Sequence, residues 1–176
     1  MKIFLCMIGL LTFTAISNAQ IVATDSISNQ RILIGAVTRS AFEDSSWFKD
    51  NYSMYNPTSE LIAKIDSLSG GDSVDVVFGS WCSDSHMWVP MFLRIIDRTA
   101  LGKHAAFVAV PRSKGWREQL TPGMNIERVP TFIFFHDGKE IGRIVEEPKG
   151  DLGDNIVKIL GGEYKPSEGS LPERVH

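Results

Sequence analysis

A mostly apolar, β-branched run from Val74 to Phe78 passes through Gly79-Ser80-Trp81-Cys82 into a stretch of different period. The run has the composition of a strand buried on both faces of a sheet. Beyond it, Met87, Trp88, Met91, Phe92, Ile95 and Ile96 recur at spacings of three and four, which predicts one apolar stripe on a helix reaching about Thr99. Buried strand followed by amphipathic helix is the unit from which layered α/β sheets are assembled. The junction sets Cys82 at the first turn of the helix. Unpaired backbone N–H groups and the positive end of the helix dipole favour a thiolate over a thiol there.

The N-terminus says where such a cysteine would work. Met1-Lys2, the apolar run Ile3 to Phe13 and the small and polar Ser17-Asn18-Ala19 form the pattern of a secretory signal peptide, residues 1–19, cleaved after Ala19. The apolar run is shorter than the about 20 residues a membrane-spanning helix needs. The expectation is an exported protein, periplasmic or secreted. Of the two cysteines, Cys6 leaves with the peptide. In an oxidising compartment paired cysteines become structural disulfides, but Cys82 has no partner left. It is either a tolerated buried residue or a free thiol kept for chemistry. A net charge of −3 offers no basic stripe for nucleic acid and no polybasic patch for anionic lipid.

The remaining chain falls into a flexible segment at 20–30, one domain at 31–162 and a polar, disordered tail at 163–176. Arg31 to Val37 reads as the first strand. Ala41 to Tyr55 carries aromatics without one period and is taken as irregular or partly helical. Asn56 as cap, Pro57 at the first position and the stripe Leu61, Ile62, Ile65, Leu68 predict a helix ended by Gly70-Gly71. After the Cys82 unit come a strand from His104 to Val110, a short helix from Ser113 to Leu120, and a turn at Thr121-Pro122-Gly123. Thr131 to Phe135 and Glu140 to Val145 flank Asp137-Gly138 and predict a hairpin. Asp151 to Leu160 predicts the last helix. Parallel strands joined by crossover helices and then an antiparallel hairpin make a mixed central sheet with helices on both faces.

With these elements in place the chain resembles the thioredoxin-like superfamily from about Arg31 to Leu160. Trp81-Cys82-Ser83-Asp84-Ser85 matches the placement of that family's Trp-Cys-x-x-Cys motif. Pro90 lies where members often carry a kinking proline. Arg128-Val129-Pro130-Thr131-Phe132 is similar to the family's Val-Pro-Thr segment, whose proline is cis and lies against the active cysteine. The resemblance implies that the backbone at Val129 and Pro130, with Trp81, binds substrate while Cys82 attacks a disulfide. The chain also departs from the pattern. Ser85 stands where redox-active members have the second cysteine, so the site is Cys-x-x-Ser and needs an external thiol to resolve a mixed disulfide. Val76 falls where many members have a buried acid, and Asp75 points to the other face by strand alternation.

The candidate catalytic residues are therefore Cys82 and Ser85, and the candidate substrate-binding residues are Trp81, Val129 and Pro130. Ser85 can donate a hydrogen bond to the thiolate, or be filler. His86, four residues after Cys82 on one helical face, can serve as charge partner or be a solvated residue. Asp84 either opposes the thiolate or favours the helix N-terminus. Arg112 either approaches Cys82 or is a solvated loop charge; Trp88 is read as core. No cofactor or metal is expected, since Cys82 and His86 fall short of a zinc ligand set. Expected partners are a disulfide- or thiol-containing protein or a small thiol. The function implied is monothiol thiol–disulfide exchange of reductase or isomerase type. The rival is a non-enzymatic peptide-binding module of the same fold. A peroxidase-like sulfenate cycle is a third reading, for which no resolving cysteine is found.

Overall fold

The computed structural model describes residues 21–163; the segment expected to be a signal peptide and nearly all of the expected tail lie outside them. Strands β1 (Ile21–Thr24), β2 (Arg31–Val37), β3 (Asp72–Phe78), β4 (Ala105–Ala109), β5 (Thr131–His136) and β6 (Lys139–Val145) form one sheet in the order β1-β2-β4-β3-β5-β6. Helices α1 (Ser46–Met54), α2 (Ser59–Leu68), α3 (Ser83–Ile96), α4 (Lys114–Leu120) and α5 (Leu152–Leu160) cover it. Only β3 and β4 are parallel; every other neighbouring pair is antiparallel. The sheet is thus mixed; α1, α2, α3 and α5 all pack into one cluster on one face, and on the other, among the described residues, only the short α4 makes contact, through Leu120.

β3 is the central strand, and its alternation divides the core. Val74, Val76 and Phe78 face a large cluster with Phe92, Ile95 and Ile96 of α3, Ile62 and Ile65 of α2 and Ile156 of α5. Phe92 and Phe132, neither exposed, stack with ring centroids 4.3 Å apart. Val77 faces a smaller cluster with Val110, Ile126, Val129 and Ile133, against which Trp81 and Cys82 pack. Trp88 packs on the large cluster. Of the expected α3 stripe, Phe92, Ile95 and Ile96 are buried and Trp88 and Met91 half-buried, but Met87 is exposed; Val89 and Leu93 complete the inner face, and the helix accommodates Pro90 internally.

Three expectations change. The segment 20–30 is not all loose: Ile21–Thr24 pairs antiparallel with β2, and Asp25 to Gln30 turns between them. β2 runs antiparallel to β4 rather than parallel. It ends at the edge of the sheet where β3 begins, so α1 and α2 span that gap without a crossover. Strand direction leaves no mark on hydrophobic periodicity. The cap of α2 is Thr58, whose Oγ1 accepts the Leu61 N–H at 3.2 Å, and not Asn56. The segment 41–55 resolves into a short 3₁₀ turn at Arg39–Ala41 followed by α1.

At the far end of the sheet from Cys82, β3 and β5 are fastened by a polar pair. Asp72, 3% exposed, lies in register with His136, whose Nδ1–H donates to its carboxylate at 2.6 Å. That hydrogen bond, and then the charges of Asp72 and Asp137, raise the His136 pKa above its usual value. A histidine whose folded pKa is raised lends stability that is full below the unfolded value of about 6.5 and disappears as pH climbs through the folded one. His136→Gln should therefore lower the melting temperature more at pH 6 than at pH 9. Thermal melts of both proteins at the two pH values check this; an equal loss at both would remove the charged pair from the account.

Candidate active site

Cys82 is the N-cap of α3, with extended backbone. Its N–H donates to the Gly79 carbonyl at 2.9 Å and its carbonyl accepts the His86 N–H at 3.0 Å, so the loop closes tightly into the helix. The thiol does not cap the first turn. Sγ instead donates to the Val129 carbonyl at 3.4 Å, and the Val129–Pro130 peptide is cis. Cys82 is half-buried and is the free cysteine of the described residues. The carbonyl of Pro130 accepts the Glu146 N–H at 2.7 Å, which joins this segment to the end of β6.

Ser85 is fully buried, and its Oγ accepts the Gly79 N–H at 3.1 Å. The oxygen thus ties down the loop that ends β3, and among the described residues Ser85 makes no hydrogen bond to Cys82. His86 is likewise turned away from the sulfur. Its ring stacks on Trp47 of α1, centroids 4.5 Å apart, and Nε2 lies 2.9 Å from the Ser80 carbonyl. A carbonyl only accepts, so Nε2 carries the proton. Asp84 is exposed in the first turn of α3, where a negative charge suits the helix dipole. Val76 lies in the large core and Asp75 is buried in register with Ile133 on the opposite side of β3.

Trp81 is held on three sides. A Cβ on Gly79 would come within 2.7 Å of its ring, so the indole lies directly on that glycine's backbone. Its Nε1–H donates to the Val110 carbonyl at 2.8 Å. Over it, 4.1 Å from the ring, sits the Arg112 guanidinium. Arg112 is therefore part of the site's frame. Its Nε–H donates to both oxygens of Asp25, at 3.2 and 3.1 Å. Asp25 is 3% exposed and also accepts the Ser28 hydroxyl at 2.6 Å. The Ser28 hydroxyl first, against the opposing effect of burial and with help from the Ser28 amide and Arg112, holds the Asp25 carboxyl below the usual carboxylate range. Ser80 adds a second tie, its Oγ accepting the Leu33 N–H of β2 at 2.9 Å.

Asp25, Ser80 and the part played by Arg112 were missed in the sequence. The signal for Asp25 was local: Asp25-Ser26-Ile27-Ser28-Asn29 is turn chemistry between two apolar runs. Among the described residues no group of three or more His, Cys, Asp or Glu side chains could hold a metal ion. No helix among them is long and apolar enough to cross a membrane.

Cysteine at a strand-to-helix junction, packed against a cis-proline segment, is the arrangement to compare with known proteins. No family model matches the chain. It is 32% identical over 80 residues to the thioredoxin of Malassezia sympodialis, a match covering 44% of this chain and 73% of that protein. The chain belongs to the thioredoxin-like superfamily. The thioredoxin-like match extends to a TPR repeat-containing thioredoxin of Arabidopsis thaliana, 27% identical over 103 residues, of which this chain spans 26% while 57% of its own length is covered. Against oxidised mitochondrial thioredoxin 3 from Saccharomyces cerevisiae the TM-score is 0.33, with 19% identity over 54% of this chain and 86% of that one.

The seat of Trp81 in this thioredoxin-like site generates a prediction. Gly79→Ala must displace the indole, breaking its bond to Val110 and its stack with Arg112. The expected cost is about 1–3 kcal/mol, the usual range for overpacking a tight contact. Urea unfolding measures it, and near-ultraviolet circular dichroism should show the altered tryptophan. An unchanged spectrum with unchanged stability would contradict the packing described.

Proposed function

We propose that this thioredoxin-like chain acts in thiol–disulfide exchange through Cys82 alone, as an exported protein. The observation that carries the reading is the seat of the sulfur: at the helix N-cap, half-buried, against the Val129 carbonyl. In the first step the Cys82 thiolate attacks one sulfur of a substrate disulfide; the old S–S bond breaks, a mixed disulfide forms, and the other sulfur leaves as thiolate. Ser85 has no thiol to resolve that intermediate. An external thiolate attacks the Cys82 sulfur, the substrate sulfur leaves as thiolate, and a Cys82 mixed disulfide with the external thiol forms. A second external thiolate attacks the external sulfur of that bond, giving the external disulfide and freeing the Cys82 thiolate. Such a cycle suits isomerisation and reduction of mixed disulfides. The substrate class is a disulfide-bearing protein or a small thiol compound, met at the half-buried Cys82 and Trp81; Val129 and Pro130 are buried and act as the wall behind the sulfur. The export pattern of Met1 to Ala19 supports a periplasmic or extracytoplasmic setting, where substrates of this kind occur.

A second reading, a peptide-binding module without chemistry, is favoured by the two hydroxyl and thiol partners themselves. Ser85 is built into the loop, and the thiol rests on a carbonyl acceptor.

Two variants decide between them. Cys82→Ala should abolish exchange with a small disulfide and leave the melting temperature nearly unchanged. Ser85→Cys gives up the oxygen acceptor for the Gly79 N–H, a loss of about 1 kcal/mol, but supplies a resolving thiol. It should shorten the life of the mixed disulfide and yield an internal disulfide seen by intact mass. Exchange that survives Cys82→Ala would sink the proposal. A Cys82→Ser protein that binds partners as the wild type does, with no adduct ever trapped, would establish the binding module.

A further inference from the structure

Reached from the cysteine loop through Arg112, which stacks on Trp81, a cleft of about 200 Å³ opens between the β1–β2 hairpin and the start of α4. Ile32, Ile34, Pro111 and Trp116 give it apolar walls, and Arg112 and Asp25 lie at its polar edge. Trp116 is 55% exposed, a large aromatic surface left uncovered. Arg112 belongs both to this cleft and to the stack on Trp81, the residue next to Cys82. Its bonds to Asp25 use only Nε, so the terminal N–H donors of the guanidinium have no hydrogen-bond partner among the described residues. The side chain is about one-third exposed, at 34%. A planar fork of donors, fixed in orientation by a buried carboxylate and an indole, is built to take a carboxylate oxygen.

We propose that Arg112 is a specificity-determining residue of the Cys82 site, selecting disulfides that carry a carboxylate beside an apolar or aromatic group, the apolar part entering the cleft and the carboxylate meeting the guanidinium. The inference rests on the exchange chemistry proposed above and names its substrate class. Asp25 keeps Arg112 over Trp81 and so sets where the carboxylate can bind. The chemistry is unchanged: Cys82 sulfur forms a bond to one sulfur of the disulfide, and the other leaves with the electron pair as thiolate.

The test compares two aromatic disulfides on the full mature protein. Dithiobis(nitrobenzoate) carries a carboxylate on each ring, and dithiodipyridine carries none. The released chromophore gives each second-order rate, and the ratio of the two is the quantity read. Arg112→Gln should lower the ratio about tenfold, the rate equivalent of one charge-assisted hydrogen bond. Lys114→Gln, an exposed neighbouring cation, should leave the ratio unchanged. An equal fall in both variants would mean diffuse charge attraction and overturn the inference. A ratio untouched by Arg112→Gln would overturn it too, while exchange itself stood. Failure of Cys82 to react with either disulfide would instead overturn the exchange reading, and this inference with it. A measurement on wild type alone is independent of whether the variant folds: naphthoate, an aromatic carboxylate without sulfur, should slow the reaction with dithiobis(nitrobenzoate). No slowing at saturating naphthoate would overturn the inference.

Discussion

The Gly79 position has no side chain, and the indole of Trp81 occupies the space one would fill. Much of the site follows from that contact. With the ring on the backbone, its N–H reaches the Val110 carbonyl at the end of β4 and its outer face is open to Arg112. The same glycine gives its N–H to Ser85 and its carbonyl to Cys82. One residue without a Cβ thus organises the exit from β3, the entry to α3 and the tryptophan between them. The cysteine is placed by a network of neutral hydrogen bonds and one aromatic stack. No single strong interaction does it.

The central elements were legible because local rules governed them. β3 and α3 were read from a change of period, and the β5–β6 hairpin from Asp137-Gly138, which take φ of 48° and 76° in the turn. Cys82 and Pro130 were found because a motif spaced them in the chain. What was missed depends on distance in sequence. Asp25 and Arg112 are separated by 87 residues, and nothing local to either announces the other. The direction of β2 was misjudged because an apolar strand reads alike in both senses. His86 was judged by its helical phase relative to Cys82; Trp47, from a segment without clear period, and the Ser80 carbonyl decided where the ring went.

Ser85 shows how a substitution can be absorbed. In the motif the chain resembles, that position carries a second thiol; here a smaller hydroxyl oxygen is buried and accepts the Gly79 backbone N–H. The loop is therefore complete without redox chemistry at that position. No disulfide between positions 82 and 85 can form, which sets this site apart from any whose loop is closed by a reversible disulfide.

The β1–β2 hairpin has a mechanical consequence. Only Gly35 to Val37 of β2 pair with β4; the earlier part of the strand pairs with β1 alone, and Gly35, at φ 85°, stands where the strand leaves the main sheet. The hairpin is a cantilever, rooted at Gly35 and pinned near its tip by Asp25 on Arg112, with the Leu33–Ser80 bond between. Such an arm has fewer ties to the rest of the molecule than a strand inside the main sheet, which places it at the low end of local stability. Local opening of that arm would uncover the wall beside the cysteine while leaving the core behind it packed.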